Sequence, residues 1–251
     1  QNVGNSCYRN AVYQFLRPAF QRHGVRKSGD WLQSLYDAKP SRGIVNPPPY
    51  PPQAGLDKYF GNTDQQDASQ FAYSLLDKPI SAAPTLEMNL TDTSTCLHCH
   101  KETVVERKGR TMMSLELANI GAEGVKKSIE TMTKASFDAP EDAVCANCRA
   151  QRNTIHCEHY SPTGDCFAVV VNRTADGYRK VSDGVDIPRY VMRNGPEGEE
   201  KYEMVSFVEH IGPRMQYGHY VCYLIADNDE LWKCDDGIVS AVDSAKEARE
   251  A

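Results

Sequence analysis

The sequence predicts an α+β fold in which helices come first and strands follow. Apolar residues recur with a helical period in the first 85 residues, whereas from Leu86 onward short alternating or continuous apolar stretches lie between turn residues. Two Cys-x-x-Cys pairs fall inside the strand-rich part and point to a metal-stabilised region within it.

The first helix is read in QNVGNSCYRNAVYQFL, where Tyr8, Ala11, Val12, Phe15 and Leu16 share one stripe and Arg9, Asn10, Gln14 and Arg17 face outward. Asn5 and Ser6 supply capping side chains, and Pro18 is expected to limit the helix. Cys7 then sits in the first turn, where unpaired N–H groups and the helix dipole favour an anion and lower a thiol pKa. That makes it a candidate nucleophile. By residue type alone a buried core cysteine is the commoner case, and a nucleophile needs a base from elsewhere in the chain.

Trp31, Leu32, Leu35 and Tyr36 predict a second short helix capped by Ser28, and NPPPYPPQ (46–53) predicts an extended loop. In GNTDQQDASQFAYSLLD, a helix face is formed by Ala68, Phe71, Ala72, Leu75 and Leu76. Thr63 or Asp64 is expected to cap it, which places Gln65, Gln66 and Asp67 in its first turn.

Beyond Leu86, LEMNL, ETVVERK and MMSLELA read as strands, AEGVKKSIETMTK as a helical interlude, and 153–160 as strand again. This region carries Cys96, Cys99, Cys145 and Cys148. Two such knuckles can place four thiolates around one tetrahedral zinc, a closed site that leaves no position for substrate and so has a folding role. His98, His100, His156 or Cys157 could replace one ligand. CFAVVVN is expected to be a fully buried strand, RNGPEGEE a loop, and YEMVSFVEHI and HYVCYLIA two long strands joined by GPRMQYG. LWKCDDGIV follows as strand, acidic turn and strand, and SAKEARE as a frayed tail.

The 251 residues, 40% of them hydrophobic, can bury a sizeable core, and no apolar run approaches a membrane span. A formal charge of −6 argues against a nucleic-acid binder and fits a basic partner or simple solubility. Nine cysteines with two Cys-x-x-Cys pairs fit a metal site in a reducing compartment, so an intracellular protein, cytoplasmic and/or nuclear, is expected. The chain begins inside what reads as a motif, and a preceding segment is expected.

For the base, His219 in QYGHYVCY stands out: Gly218 permits close backbone approach and the strand that follows would hold the imidazole rigidly. His210 is the competitor, inside a strand pattern without a glycine immediately before it. Asp235 and Asp236 lie beyond the return strand carrying Trp232, where a carboxylate can fix the imidazole tautomer. Asp-Asp-Gly is also ordinary turn chemistry.

Taken together, these segments resemble the ubiquitin-specific proteases, the papain-like cysteine deubiquitinases. NVGNSCYRNA is similar to their cysteine box, QQDASQF to their QQDA-type helix, and YGHYVCY with LWKCDDGIV to their histidine box. The Cys-x-x-Cys pairs lie where that family carries zinc-bearing fingers, and CFAVVVNRTADGYRKVSDGVDIP is similar to its buried strand and lysine-containing turn. The resemblance implies one catalytic domain over residues 1–251: a helical thumb (1–85), zinc-binding β fingers (86–165) and a β-rich palm (166–251). It implies Cys7 as nucleophile, His219 as general base, Asp235 as the residue orienting it, Asp236 in a supporting role and Asn2 as oxyanion donor. Gln65, Asp67 and Gln70 match positions that contact the ubiquitin tail, and Gly218 and Tyr220 would line its channel. The implied reaction is hydrolysis of the bond after the C-terminal glycine of ubiquitin, with one structural Zn2+ per chain and no catalytic cofactor. Gln70 stands where the family usually has glutamate, which admits a protease for another ubiquitin-like modifier (SUMO or the interferon-induced two-domain modifier) as an alternative. A catalytically silent ubiquitin-binding scaffold is the other.

Overall fold

The computed structural model describes residues 5–23, 56, 60, 64–76, 86–116, 127–128, 136–138, 144–150, 154–175, 179–181, 184–195, 198–214 and 217–242. The chain forms two compact units, one of residues 1–85, 174–182 and 203–251 and the other of residues 86–173 and 183–202. The expected helix around Trp31, the proline-rich stretch and the C-terminal tail lie outside the described residues.

In the first unit, α1 (Cys7–His23) starts where the Ser6 carbonyl accepts the N–H groups of Arg9 and Asn10 at 3.0 and 3.1 Å. Tyr8, Ala11, Val12 and Leu16 are buried as their spacing demands; Tyr13 and Ala19 widen the stripe, while Phe15 is only half-buried. Contrary to expectation, the helix runs through Pro18. A proline removes one N–H and its ring crowds the preceding turn. The Phe15 carbonyl in that turn accepts the Ser206 hydroxyl at 2.7 Å, and buried Leu16 and Ala19 hold the helix on the core on either side.

The second helix, α2 (Ala68–Leu76), buries Ala68, Phe71, Ala72, Leu75 and Leu76. Its cap is Asp67 rather than Asp64, and Thr63 lies outside the described residues. Asp67 Oδ1 accepts the backbone N–H of Ser69 at 2.7 Å and of Gln70 at 3.0 Å, and also the Ser69 hydroxyl, which satisfies donors a helix start leaves open. Gln65, Gln66 and Asp67 therefore precede the helix. Fully buried Phe71 meets Tyr8, Tyr13 and Phe60 edge-on, with ring centroids 5.4, 5.8 and 5.2 Å away.

The second unit opens with β1 (Met88–Cys96), paired antiparallel with β2 (Glu102–Arg110). Strand β3 (Met112–Glu116) leaves that sheet, and β4 (Lys127–Ser128) falls in the segment expected to be helical. The rest of that segment, residues 122–126 and 129–134, lies outside the described residues. Strands β5 (Ser136–Asp138) and β6 (Thr154–Pro162) complete a four-stranded sheet in the order β2-β1-β6-β5. Strand β7 (Ala168–Asn172) pairs in parallel with β3. Only Ala168 of β7 is buried, not the whole strand, because β3 is its one partner among the described residues.

Strands β8 (Thr174–Ala175) and β9 (Arg179–Lys180) belong to the first unit, whereas β10 (Val185–Asp186) pairs in parallel with β4. Strands β11 (Tyr190–Gly195) and β12 (Gly198–Glu203) pair, so both ends of the expected RNGPEGEE loop belong to a ribbon. A meander of β13 (Ser206–Arg214), β14 (Tyr217–Ile225), β15 (Leu231–Asp235) and β16 (Ile238–Val242) then completes a six-stranded sheet in the order β16-β15-β14-β13-β9-β8. Strand β14 buries four consecutive residues, Tyr220 to Tyr223, so both its faces are covered, and α1 packs against it. Val221, Tyr223, Ile225 and Leu231 form a core with Met204, Phe207 and Val242. No helix among the described residues is long and apolar enough to cross a membrane.

Truncating Phe71 to alanine removes three edge-on aromatic contacts from a site with no solvent access. Urea unfolding of Phe71→Ala should show a loss of about 3–5 kcal/mol.

Candidate active site

Cys7 is the first residue of α1 and only 3% exposed. Its thiol is pushed above the ordinary value, first by burial and also by the charge of Asp236; backbone N–H groups of Tyr220, Tyr8 and Cys7 itself pull the other way. The lowering expected from the helix start is therefore outweighed by desolvation, which penalises the thiolate. A nucleophile at this position needs a base to take its proton.

An imidazole is supplied by β14. Tyr220, whose N–H lies against the Cys7 sulfur, directly follows His219. Strands β14 and β15 pair with Cys222 opposite Cys234; one step further, Asp235 falls across from Val221, and His219 becomes its diagonal neighbour on the same face. The result is a contact of 2.7 Å between His219 Nε2 and Asp235 Oδ1. That hydrogen bond is the first cause of a lowered Asp235 carboxyl, with a second contribution from Lys233, whose Nζ lies 3.1 Å from Oδ2. Asp236 turns aside at a φ of 50°, and its Oδ1 accepts the Asn10 amide at 2.9 Å. Asn10 thus ties α1 to the turn after β15 instead of facing outward. One polar side-chain atom from each of His219, Asp235 and Asp236 lies within 4.8 Å of the other two. Asn2 lies outside the described residues.

His210 makes no such pair. Its Nδ1 is 3.4 Å from Lys180 Nζ, its ring sits 4.7 Å from that of Tyr220, and burial first, then Lys180, lowers its pKa. Lys180 also donates to the carbonyls of His210 at 2.6 Å and Gly212 at 2.9 Å, holding the point where the β13–β14 register shifts. Gly218 must be glycine: a Cβ there would lie 2.4 Å from the Ile211 carbonyl and 2.5 Å from His210 Nε2. Its N–H donates to Gln65 Oε1 at 3.3 Å, which joins the segment before α2 to the start of β14. Buried Tyr220 has a strongly raised hydroxyl pKa, first from desolvation and then from Asp67. Asp67 itself is engaged as the α2 cap, and Gln70 is exposed. Asn10, Lys180 and Lys233 were not singled out from the sequence. The alternation of β15, which sets residues 233 and 235 on one face, is the signal that could have found Lys233.

In the second unit Cys96, Cys99, Cys145 and Cys148 bring their sulfurs within 4.8 Å of one another and could hold a metal ion. The two knuckles repeat one geometry. Cys96 and Cys145 donate their N–H to the carbonyls of Lys101 and Ala150 at 3.0 and 2.9 Å, and accept from His100 and Arg149 at 2.8 and 2.9 Å. His100 and Arg149 are both left-handed, at φ 56° and 63°. Cys96 Sγ is 3.7 Å from Cys148 Sγ, and Cys99 Sγ is 3.8 Å from Cys145 Sγ. Four sulfurs at about 2.3 Å from a central ion in a tetrahedron lie about 3.8 Å apart, whereas a disulfide requires about 2.05 Å. The Asn147 amide donates to Cys99 Sγ at 3.5 Å and, with the Lys101 backbone, lowers that thiol to about 6. His98 and His100 are exposed and outside the cluster.

The candidate site thus sets a buried thiol at a helix start against a strand whose histidine is held by a carboxylate. The ubiquitin carboxyl-terminal hydrolase family model matches residues 53–251, and the chain belongs to that family. Two relatives, human ubiquitin carboxyl-terminal hydrolase 42 and ubiquitin carboxyl-terminal hydrolase 20 of Arabidopsis thaliana, are each 23% identical over 97% and 96% of this chain. The chain spans only 21% and 40% of their lengths. Among solved structures, the SAGA DUB module of Ubp8, Sgf11, Sus1 and Sgf73 bound to monoubiquitin is similar in fold at a TM-score of 0.68 and 18% identity, covering 99% of this chain and 65% of the matched one. The same module bound to ubiquitin aldehyde gives 0.67 at 18% identity, over 99% and 66%.

Replacing His219 removes the imidazole carried by the strand that lies against the Cys7 thiol. In His219→Gln, the rate of Cys7 alkylation by iodoacetamide should rise with pH through a midpoint above the ordinary thiol range. Adding Asp236→Asn, which keeps an acceptor for Asn10 but removes the charge, should move that midpoint down.

Proposed function

We propose that the chain is a cysteine-type ubiquitinyl hydrolase that cleaves the isopeptide or peptide bond after the C-terminal glycine of ubiquitin. The observation that carries this reading is the 2.7 Å His219–Asp235 pair on the strand whose next residue lies against the Cys7 thiol. The family supports it, as do the names of the two relatives and the ubiquitin bound in the neighbouring structures. Assignment of the chain as one catalytic domain of thumb, fingers and palm, in a reducing cytoplasmic or nuclear setting, belongs to the same proposal.

With Nε2–H directed at Asp235, a neutral His219 presents Nδ1 as an acceptor. It takes the thiol proton as Cys7 sulfur adds to the glycine carbonyl carbon, and the imidazolium formed is stabilised by Asp235. Collapse of the tetrahedral adduct breaks the C–N bond, the departing amine takes the proton from Nδ1, and a thioester remains. Water, deprotonated by His219, then releases the ubiquitin carboxylate and restores the thiol. The Cys7 N–H at the helix start and the Asn2 side chain are the proposed oxyanion donors, with Asp236 supporting through Asn10. Gln65, Gly218 and Tyr220 would line the path of the tail, and Gln70 is exposed for a contact further along it.

The metal we assign to the four cysteines is a structural Zn2+. Four thiolates with tetrahedral separations suit zinc, and the closed ligand set leaves it no part in the reaction.

Incubation with a ubiquitin probe bearing a C-terminal thiol-reactive electrophile should give one adduct on Cys7, absent in Cys7→Ala. Labelling only by probes built on other modifiers, or none by the folded protein, would overturn the reading. His219→Ala and Asp235→Asn should each lower kcat on a fluorogenic ubiquitin substrate by about a thousandfold or more. Elemental analysis should find one zinc per chain; Cys99→Ser or a strong chelator should remove it and lower the strand content seen by circular dichroism.

A further inference from the structure

We infer that Lys233 is a positioning residue for the catalytic pair, holding the second oxygen of Asp235 so that the carboxylate is fixed in orientation and its charge is shared. This rests on the reading of His219 as the base. One carboxylate has two oxygens, and both are used: Oδ1 by His219 Nε2 at 2.7 Å and Oδ2 by Lys233 Nζ at 3.1 Å. Strand alternation puts Lys233 and Asp235 on the same face of β15, where Tyr223 of β14 lies directly across from Lys233. The lysine and aspartate side chains are 30% and 37% exposed, so the pair is partly withdrawn from solvent screening while the ammonium keeps contact with water.

The surrounding charges give this ammonium its importance. From β14 the imidazole of His219 and the hydroxyl of Tyr223 face Asp235, and the Tyr223 hydroxyl donates to Glu209 of β13 at 3.0 Å. His210 of β13 acts on this neighbourhood as well, Asp236 occupies the following turn, and α1 contributes the Cys7 thiol and the Asn10 amide. Strand β16 on the other side has no titratable side chain, its Ser240 and Ile238 pairing with Lys233 and Asp235. Asp235 and Asp236 both lie beside the His219 imidazole, and Lys233 is the one ammonium paired with Asp235 among the described residues. A carboxylate held at both oxygens cannot rotate away from the imidazole when substrate arrives.

The Nε2–H proton that His219 shares with Asp235 can be followed by NMR, with His219 assigned by its loss in His219→Gln. In Lys233→Met that proton should exchange with water several-fold faster than in the unaltered chain, because a carboxylate held at one oxygen can rotate, and Lys233→Arg should restore the protection. With the fluorogenic ubiquitin substrate, kcat should fall about threefold with KM unchanged, and Lys233→Arg should recover it. Lys233→Gln replaces the methionine variant if the latter unfolds. Equal exchange in the variants and the unaltered chain, or a loss confined to KM, would overturn the assignment. The exchange measurement needs no substrate, so failure of the chain to cleave ubiquitin would strike the functional reading and leave this result standing.

Discussion

Packing of α1 against β14 is the contact from which the site is built. Cys7 and His219 come from opposite ends of the sequence, and the entropy lost in joining them is offset by apolar burial rather than by the polar contacts of the site. Tyr8, Ala11, Val12 and Leu16 supply one side of that burial, and the doubly covered segment Tyr220–Tyr223 supplies sheet core beside His219. Two hydrogen bonds then fix the helix along its length: Asn10 to Asp236 near its start and Ser206 to the Phe15 carbonyl two turns on. Sliding the helix by one residue would break both and carry Cys7 away from Tyr220. The same burial that positions the thiol also raises its pKa, so accurate placement and easy ionisation oppose each other here.

The segment before α2 shows how one side chain can settle where a helix begins. By capping at Asp67 instead of Asp64, the chain keeps Gln65 and Gln66 out of helical geometry, which lets Gln65 Oε1 reach the Gly218 N–H. Gln65 Nε2 and His210 Nε2 are both buried without a hydrogen-bond partner, and both belong to residues that meet at Gly218. Unsatisfied buried donors of this kind are costly, and here two of them converge at the start of β14.

Much of this was legible in the sequence, because it depends on local periodicity or on ligand chemistry. Most of the α1 stripe, the face of α2, the strands from β1 to β3 and those carrying His219 and Asp235 follow from spacing alone, whereas YEMVSFVEHI, expected as one strand, is divided between β12 and β13. The four cysteines follow from thiolate chemistry at knuckle spacing. What could not be read depends on partners distant in sequence. Pro18 stays helical because flanking apolar residues and Ser206 hold its turn, β4 exists because Val185–Asp186 pairs with it, and the two ends of RNGPEGEE join a ribbon because β11 and β12 pair. The Cys7 pKa direction was misread for a related reason: the helix-start effect is local, whereas the burial that exceeds it comes from packing.

The second unit has a different physical basis. Along β1 only Met88, Leu90 and Cys96 are buried, and β2 is exposed over nearly its whole length, so its four-stranded sheet excludes little apolar surface from water. Two edge features increase the difficulty: Val104 and Val105 face solvent on β2, and β5 covers β6 for only three residues. A sheet of this kind needs a constraint that a hydrophobic core does not provide. The paired knuckles supply one, since a metal ion held by their sulfurs would close the chain between the end of β1 and residues 145–148, just before β6. Because both knuckles use the same hydrogen bonds and the same left-handed residue after the second cysteine, each presents its sulfurs already formed, and the ion has only to join two rigid halves.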